Sequence, residues 1–268
     1  MLLPAIFLFI IGTFFGSFLS VVIYRIHKNK KGIIKGRSEC PYCHKKLAMR
    51  DLVPIFSYLV YGGKCRFCKK KINVHYLLIE LLTGALFAIF YLIYPFFTYQ
   101  FGELACNFDA ILFLNFGFYI VVSLFLILIF FYDLKYLEIP EIFTLPAIAL
   151  VFIVGIFMPE PGLYSMLVGG AIGGIFFGFQ FWISKEKWLG FGDVQVGILM
   201  GLLLGWQLFL IGLFITYIIG SIISLLLMIF KKVGLKSQIP FAPFMIIGTF
   251  TTIFFGDYLL NLYLNALI

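Results

Sequence analysis

The chain has 268 residues, of which 63% are hydrophobic and 12% charged, with a net charge of +8. A soluble domain carries about 25% charged residues, so this composition excludes an ordinary globular protein. The positive balance would suit a nucleic-acid partner, but the placement of the charges argues for a lipid bilayer and against nucleic acid.

Apolar runs of the length a bilayer demands, roughly 20 residues each, recur at 2–24, 75–97, 110–131, 140–158, 162–183, 193–204, 206–230 and 241–266. They predict an all-α polytopic membrane protein of about eight transmembrane helices, because a helix pairs its own backbone polar groups inside lipid. The first run reads as a span and not as a cleaved leader, for it lacks a basic leader and an Ala-x-Ala-like site. The sixth is short, and its border with the seventh falls at Gly205-Trp206. Gly169, Gly170, Gly173, Gly174 and Gly178 in the fifth run predict close helix packing. No internal repeat is legible.

Eight spans with the N-terminus outside give inner loops at 25–74, 132–139, 184–192 and 231–240. All twenty Lys and Arg residues fall in or beside them, fourteen between Arg25 and Lys71 and the rest at Lys135, Lys185, Lys187, Lys231, Lys232 and Lys236. Basic residues near span ends stay in the cytoplasm, so the charge is a topology signal; it also favours anionic lipid at the inner leaflet. The expected domains are a first helix over 1–24, a cytoplasmic four-cysteine domain over 25–74, and a helical bundle over 75–268.

Cys40-Pro41-Tyr42-Cys43 and Cys65-Arg66-Phe67-Cys68 are two CxxC pairs separated by 21 residues. Two residues between thiolates let both point at one ion, and two such turns complete a tetrahedron around Zn²⁺. Four sulfur ligands leave no position open for water, so the zinc is expected to be structural. A redox pair and unpaired thiols are the competing uses. Cys106 falls in an outer loop and is expected to be a free thiol.

A carboxylate at membrane depth is costly and marks function. Asp133 closes the third run and Asp193 opens the sixth, in Gly190-Phe191-Gly192-Asp193. The expected topology puts both at the inner boundary, on different helices. Two close carboxyls share a proton, so one can act as base on water while the other protonates a carbonyl oxygen. Each aspartate alone is equally a helix cap. Gly190 and Gly192 would let an extended substrate approach the backbone. Glu80, Glu138 and Glu141 are supporting candidates, each with an alternative as a surface or paired charge. Asp257 reads as solvated.

With these residues assembled, the sequence resembles the type IV prepilin peptidases, which are bifunctional leader peptidases and N-methyltransferases. The resemblance spans Gly16-Ser17-Phe18 through Tyr24-Arg25, both CxxC pairs, and Val53-Pro54-Ile55-Phe56-Ser57-Tyr58-Leu59. It continues through Gly63-Lys64-Cys65-Arg66 and Tyr76 to Glu80. Asp133-Leu134, Gly190 to Val194 and Ile239-Pro240-Phe241-Ala242-Pro243 complete it. It implies an inner-membrane enzyme that cleaves the basic leaders of prepilins and pseudopilins on the cytoplasmic side. The family's two catalytic aspartates match Asp133 and Asp193. Members with the cysteine loop also methylate the new N-terminus with S-adenosylmethionine, although no glycine-rich cofactor loop is legible here. Ser20, Gln195 and Glu141 stand where the family usually has Asn, Lys and Asp.

Both the leader and the loop are basic, so Glu80, Glu138 and Glu141 are the expected readers of the leader. A proton- or cation-coupled transporter with a regulatory zinc loop is the alternative, disfavoured because transporters place such carboxylates near the midplane. A zinc-loop scaffold without chemistry is the third possibility.

Overall fold

The computed structural model describes residues 2–28, 38–43, 45–99, 106–230 and 238–267. Lys30, Lys31, Lys35, Arg37, Lys231, Lys232 and Lys236, on which part of the expected orientation rests, lie outside the described residues, as does the thiol of Cys106. The chain divides into two compact units, Met1–Leu128 and Ile129–Ile268.

In the first unit α1 (Leu2–His27) packs along α3 (Val74–Ile93). Contact between them is close because Gly12 and Gly16, one helical turn apart, present no side chain. A methyl group on Gly16 would sit 2.7 Å from the Glu80 Cα, and one on Gly12 would sit 2.8 Å from the Gly84 Cα. Lipid offers no hydrophobic drive between helices, so such small-residue contacts hold them together. The hydroxyls of Thr13, Ser20 and Thr83 bond backbone carbonyls of their own helices. Between α1 and α3 lies the one-turn α2 (Phe56–Val60).

The expected second run extends to residue 97, but α3 stops at Ile93. Pro95 lacks an N–H and disfavours helix in the residue before it. The chain instead forms an antiparallel pair, β1 (Phe97–Tyr99) with β2 (Cys106–Phe108), in which Phe97 faces Phe108. This small sheet is a departure from the all-α expectation. Asp109 then caps α4 (Ala110–Tyr136) by accepting from the N–H groups of Ile111 and Leu112.

In the second unit α7 (Phe191–Ile229) packs against α5 (Glu141–Gly155), α6 (Leu163–Ser184) and α8 (Ala242–Leu267). The α6–α7 contact is backbone on backbone: Cβ atoms on Gly169, Gly173 or Gly201 would collide with main-chain atoms of the facing helix. The expected packing role of the fifth-run glycines is seen directly at Gly169 and Gly173. At Gly205 the backbone of α7 leaves helical geometry (φ 71°, ψ 168°). The freed Trp206 N–H finds the Ser165 hydroxyl at 3.3 Å.

Among the described residues, six helices are long and apolar enough to cross a membrane: α1, α3, α4, α6, α7 and α8. The chain is a polytopic helical membrane protein. Each of the eight expected runs falls on helix, but the element count differs for two reasons. The sixth and seventh runs join in α7, broken at the anticipated Gly205. The fourth forms α5, whose 15 residues reach about 22 Å at 1.5 Å per residue, short of a bilayer core of about 30 Å.

Candidate active site and metal centre

Asp193 enters the second unit through a helix start. The backbone at Gly190 is extended and Asp193 is the third residue of α7. Its Oδ2 accepts from the Gly190 N–H at 2.9 Å, which satisfies a donor just ahead of the helix, where a negative charge is favoured. The capping role that competes with catalysis at Asp193 is therefore present, and the residue is 7% exposed.

Asp133 lies in the last turn of α4 and is 5% exposed. The helix ends three residues later, where Leu137 adopts a left-handed φ of 57° and its N–H returns to the Asp133 carbonyl at 2.9 Å. The Asp133 Oδ2 accepts from the Ala242 N–H at 3.2 Å. Ala242 is the first residue of α8, in the Ile239 to Pro243 segment. The segment thus presents a helix N-terminus to Asp133, a function its sequence does not reveal. The two carboxylates lie close enough for their charges to interact.

The loop between α4 and α5 completes the surroundings. Glu138 and Glu141 are exposed. Ile139 fills the space beside Gly192, where a Cβ would fall 2.5 Å from the Ile139 Cβ. The missing side chain admits this loop to the start of α7, while Gly190 is exposed with room around it. Gln195 (5% exposed) accepts a hydrogen bond from the buried Thr144 hydroxyl, tying α5 to α7 two residues past Asp193. Sequence patterning singled out Gln195 only as a departure and gave no sign of Thr144.

In the first unit the four cysteines come together, with ligand atoms within 4.8 Å of one another. The Cys40 and Cys68 sulfurs are 3.9 Å apart, close to the ~3.8 Å edge of a tetrahedron with Zn–S bonds of about 2.3 Å. The two halves repeat each other. Cys40 N–H bonds Lys45 O and Cys65 N–H bonds Lys70 O; Leu47 N–H bonds Ser38 O and Ile72 N–H bonds Gly63 O. The bridges Glu39 to Lys46 and Lys64 to Lys71 match in the same way. Each half also stacks a cation on the other's ring, Lys45 on Phe67 at 5.1 Å and Lys70 on Tyr42 at 5.2 Å. This internal repeat was invisible in the sequence because only the cysteines and the following lysines coincide. Burial pushes the Cys65 thiol up, yet donors from the Cys68 and Phe67 backbone and from the Cys40 and Cys68 thiols outweigh it, leaving about 7. The cluster can hold a metal ion such as zinc.

Glu80 belongs to the first unit. Its Oε2 accepts from the Ile55 N–H at 2.7 Å, holding a β-branched residue at φ 61°, which is a strained conformation. The Ser17 hydroxyl lies near enough to this carboxylate to favour its charged form.

A polytopic helical protein with two buried aspartates at helix ends, close enough for their charges to interact, fits the class of intramembrane aspartyl peptidases. Comparison with known proteins narrows that class. Residues 10–94 match the bacterial peptidase A24 N-terminal domain and residues 120–225 match the type IV leader peptidase family. The chain belongs to the type IV leader peptidase family. A prepilin leader peptidase/N-methyltransferase of Bacillus subtilis is 28% identical, with 96% of this chain and 97% of the relative covered. One of Pseudomonas aeruginosa is 26% identical over 96% and 92%, and one of Myxococcus xanthus 31% over 84% and 63%. No solved structure matches the chain. The transporter alternative is not favoured.

Proposed function

We propose that this protein removes the basic leaders of prepilins and pseudopilins and then N-methylates the new N-terminal residue, with Asp133 and Asp193 as the catalytic pair. The observation that supports the pair is shared burial together with electrostatic coupling. Two aspartates from different helices are both buried and within electrostatic reach, although they lie far apart in the chain.

Peptide hydrolysis needs a carboxylate to take a proton from water and a carboxylic acid to protonate the carbonyl oxygen. The working form therefore carries one proton between the two, and its titration belongs to the pair. The N–H groups of Gly190 and Ala242 hold one oxygen of each carboxylate and leave the other for water or substrate. Glu138 and Glu141, exposed beside this site, read the basic leader.

Zinc bound by Cys40, Cys43, Cys65 and Cys68 is structural, and S-adenosylmethionine supplies the methyl group. The protein sits in the inner membrane with its N-terminus outside and both the cysteine loop and the aspartates toward the cytoplasm. Residues 1–24, 25–74 and 75–268 serve as first helix, methylation-associated zinc domain and peptidase bundle. Purified protein incubated with a prepilin and S-adenosylmethionine should yield a leaderless, methylated product by mass spectrometry. Asp133→Asn and Asp193→Asn should each leave the leader attached; wild-type cleavage by either would remove the pair from the mechanism.

A further inference from the structure

The first unit holds a half-open cavity of about 340 Å³, walled by the start of α3, the end of α1, α2 and the cysteine knuckles. That is within the range of small-molecule sites, about 300–1,000 Å³. Its lining includes Tyr24, Tyr58 and Tyr76, flat surfaces on which an aromatic base can stack.

Two carboxylates on the lining lack something. The Asp51 side chain is 5% exposed, and its Oδ2 meets Arg66 at 3.5 Å and the Ala48 N–H at 3.0 Å. Its Oδ1 is buried with no partner. A buried polar atom without a hydrogen bond is costly, so a ligand donor there is favoured. Glu80 is 8% exposed and has two neutral groups beside it, the bonded Ile55 N–H and the nearby Ser17 hydroxyl. Among the described residues no cation pairs with it. A buried carboxylate without a counter-charge is suited to a cationic guest. Arg25, Lys64 and Arg66 line the cavity as well, so it suits a small molecule that carries both charges, an aromatic ring and hydrogen-bond donors, which is the chemistry of a nucleoside sulfonium bearing an amino-acid carboxylate.

We propose that this cavity is the methyl-transfer site, that Asp51 Oδ1 holds a hydroxyl or amino group of the donor's nucleoside, and that Glu80 accepts the proton shed by the substrate amine. The inference rests on the methyltransferase half of the proposed function. In the step, the Glu80 carboxylate takes a proton from the N-terminal ammonium, the freed lone pair forms the new N–C bond, and the C–S pair stays on sulfur, leaving a neutral thioether and a methylammonium product.

The test uses the full-length protein in detergent, with S-adenosylhomocysteine as the binding probe in calorimetry. Ser20→Trp, which fills the cavity, should abolish binding. Asp51→Asn should weaken it about tenfold or more, the cost of a lost hydrogen bond to a charged group. Glu80→Gln should bind the probe within threefold of wild type but methylate at least a hundredfold more slowly. Its residual rate should climb with pH, because the amine must then lose its proton to hydroxide. Zinc content checks the fold of each variant; if Ser20→Trp loses zinc, Asp51→Asn decides the binding site. Wild-type probe binding by the deciding variant would place the donor elsewhere. A Glu80→Gln enzyme at half the wild-type methylation rate or more, or one losing zinc and methylation together, would overturn the acceptor role. If wild type neither binds the probe nor methylates, the methyltransferase half of the function falls as well; if wild type methylates and only the variants disagree, the cavity assignment alone falls.

Discussion

The two units solve the problem of making a site in opposite ways. The four-cysteine cluster of the first unit is assembled from two short, similar turns, each closing within a few residues by its own backbone hydrogen bonds. The aspartate pair of the second unit is assembled from helix ends far apart in the chain, Asp133 held by Ala242 and Asp193 by Gly190. The first kind of site is carried by local spacing. The second exists only once α4, α7 and α8 have packed, so its integrity depends on helix contacts remote from the chemistry.

That contrast can be broken experimentally. The largest effect is expected at the aspartates: Asn at either position should lower leader cleavage by about 10³-fold or more while the zinc stays bound, measured by product mass and metal analysis. Survival of cleavage would mean that the buried pair is only two helix caps. Cys40→Ser should next reduce zinc to well under one ion per chain. Structural zinc contributes about 10–16 kcal/mol of apparent binding energy in small folds, so residues 38–72 should become sensitive to protease. Full zinc retention would show that the cluster is not one four-sulfur site.

Smaller effects test the dependence on packing. Gly201→Leu, which forces a side chain into the Gly169 backbone, should destabilise the protein by about 1–3 kcal/mol through overpacking. Thermal unfolding in detergent would read this, and cleavage should decline with it. Thr144→Val removes the partner of buried Gln195 and should cost about 1–3 kcal/mol; an unchanged melting temperature would make that tie between α5 and α7 irrelevant.

The four-cysteine cluster was legible because CxxC spacing is itself a geometric statement: two residues fix how two sulfurs diverge. The repeat of the two knuckles was not, since matching backbone bonds leave no mark on side-chain identity. Asp133 and Asp193 stood out because charge is rare in apolar runs, but nothing local distinguished catalytic pair from cap, and both turn out to accept helix N-terminal or pre-helix N–H groups. Glu80 was visible as an acid in an apolar run; its contact with Ile55 and its place on a cavity wall were not. The end of α3 was misjudged because hydropathy continues past Pro95 although the helix cannot.

The sequence by itself determined the membrane setting, the helical runs, the break at Gly205 and the four-sulfur cluster. Each of these is set by composition or by contacts between near neighbours, and lipid leaves the backbone little choice but helix. Only the tertiary structure decided that Ala242 would serve Asp133, that Ile139 would fill the space at Gly192, and that Asp51 and Glu80 would line one cavity. Those pairings join residues distant in the chain. They follow from which helices approach closely enough to exchange hydrogen bonds, and the glycines that permit that approach do not name the partner they admit.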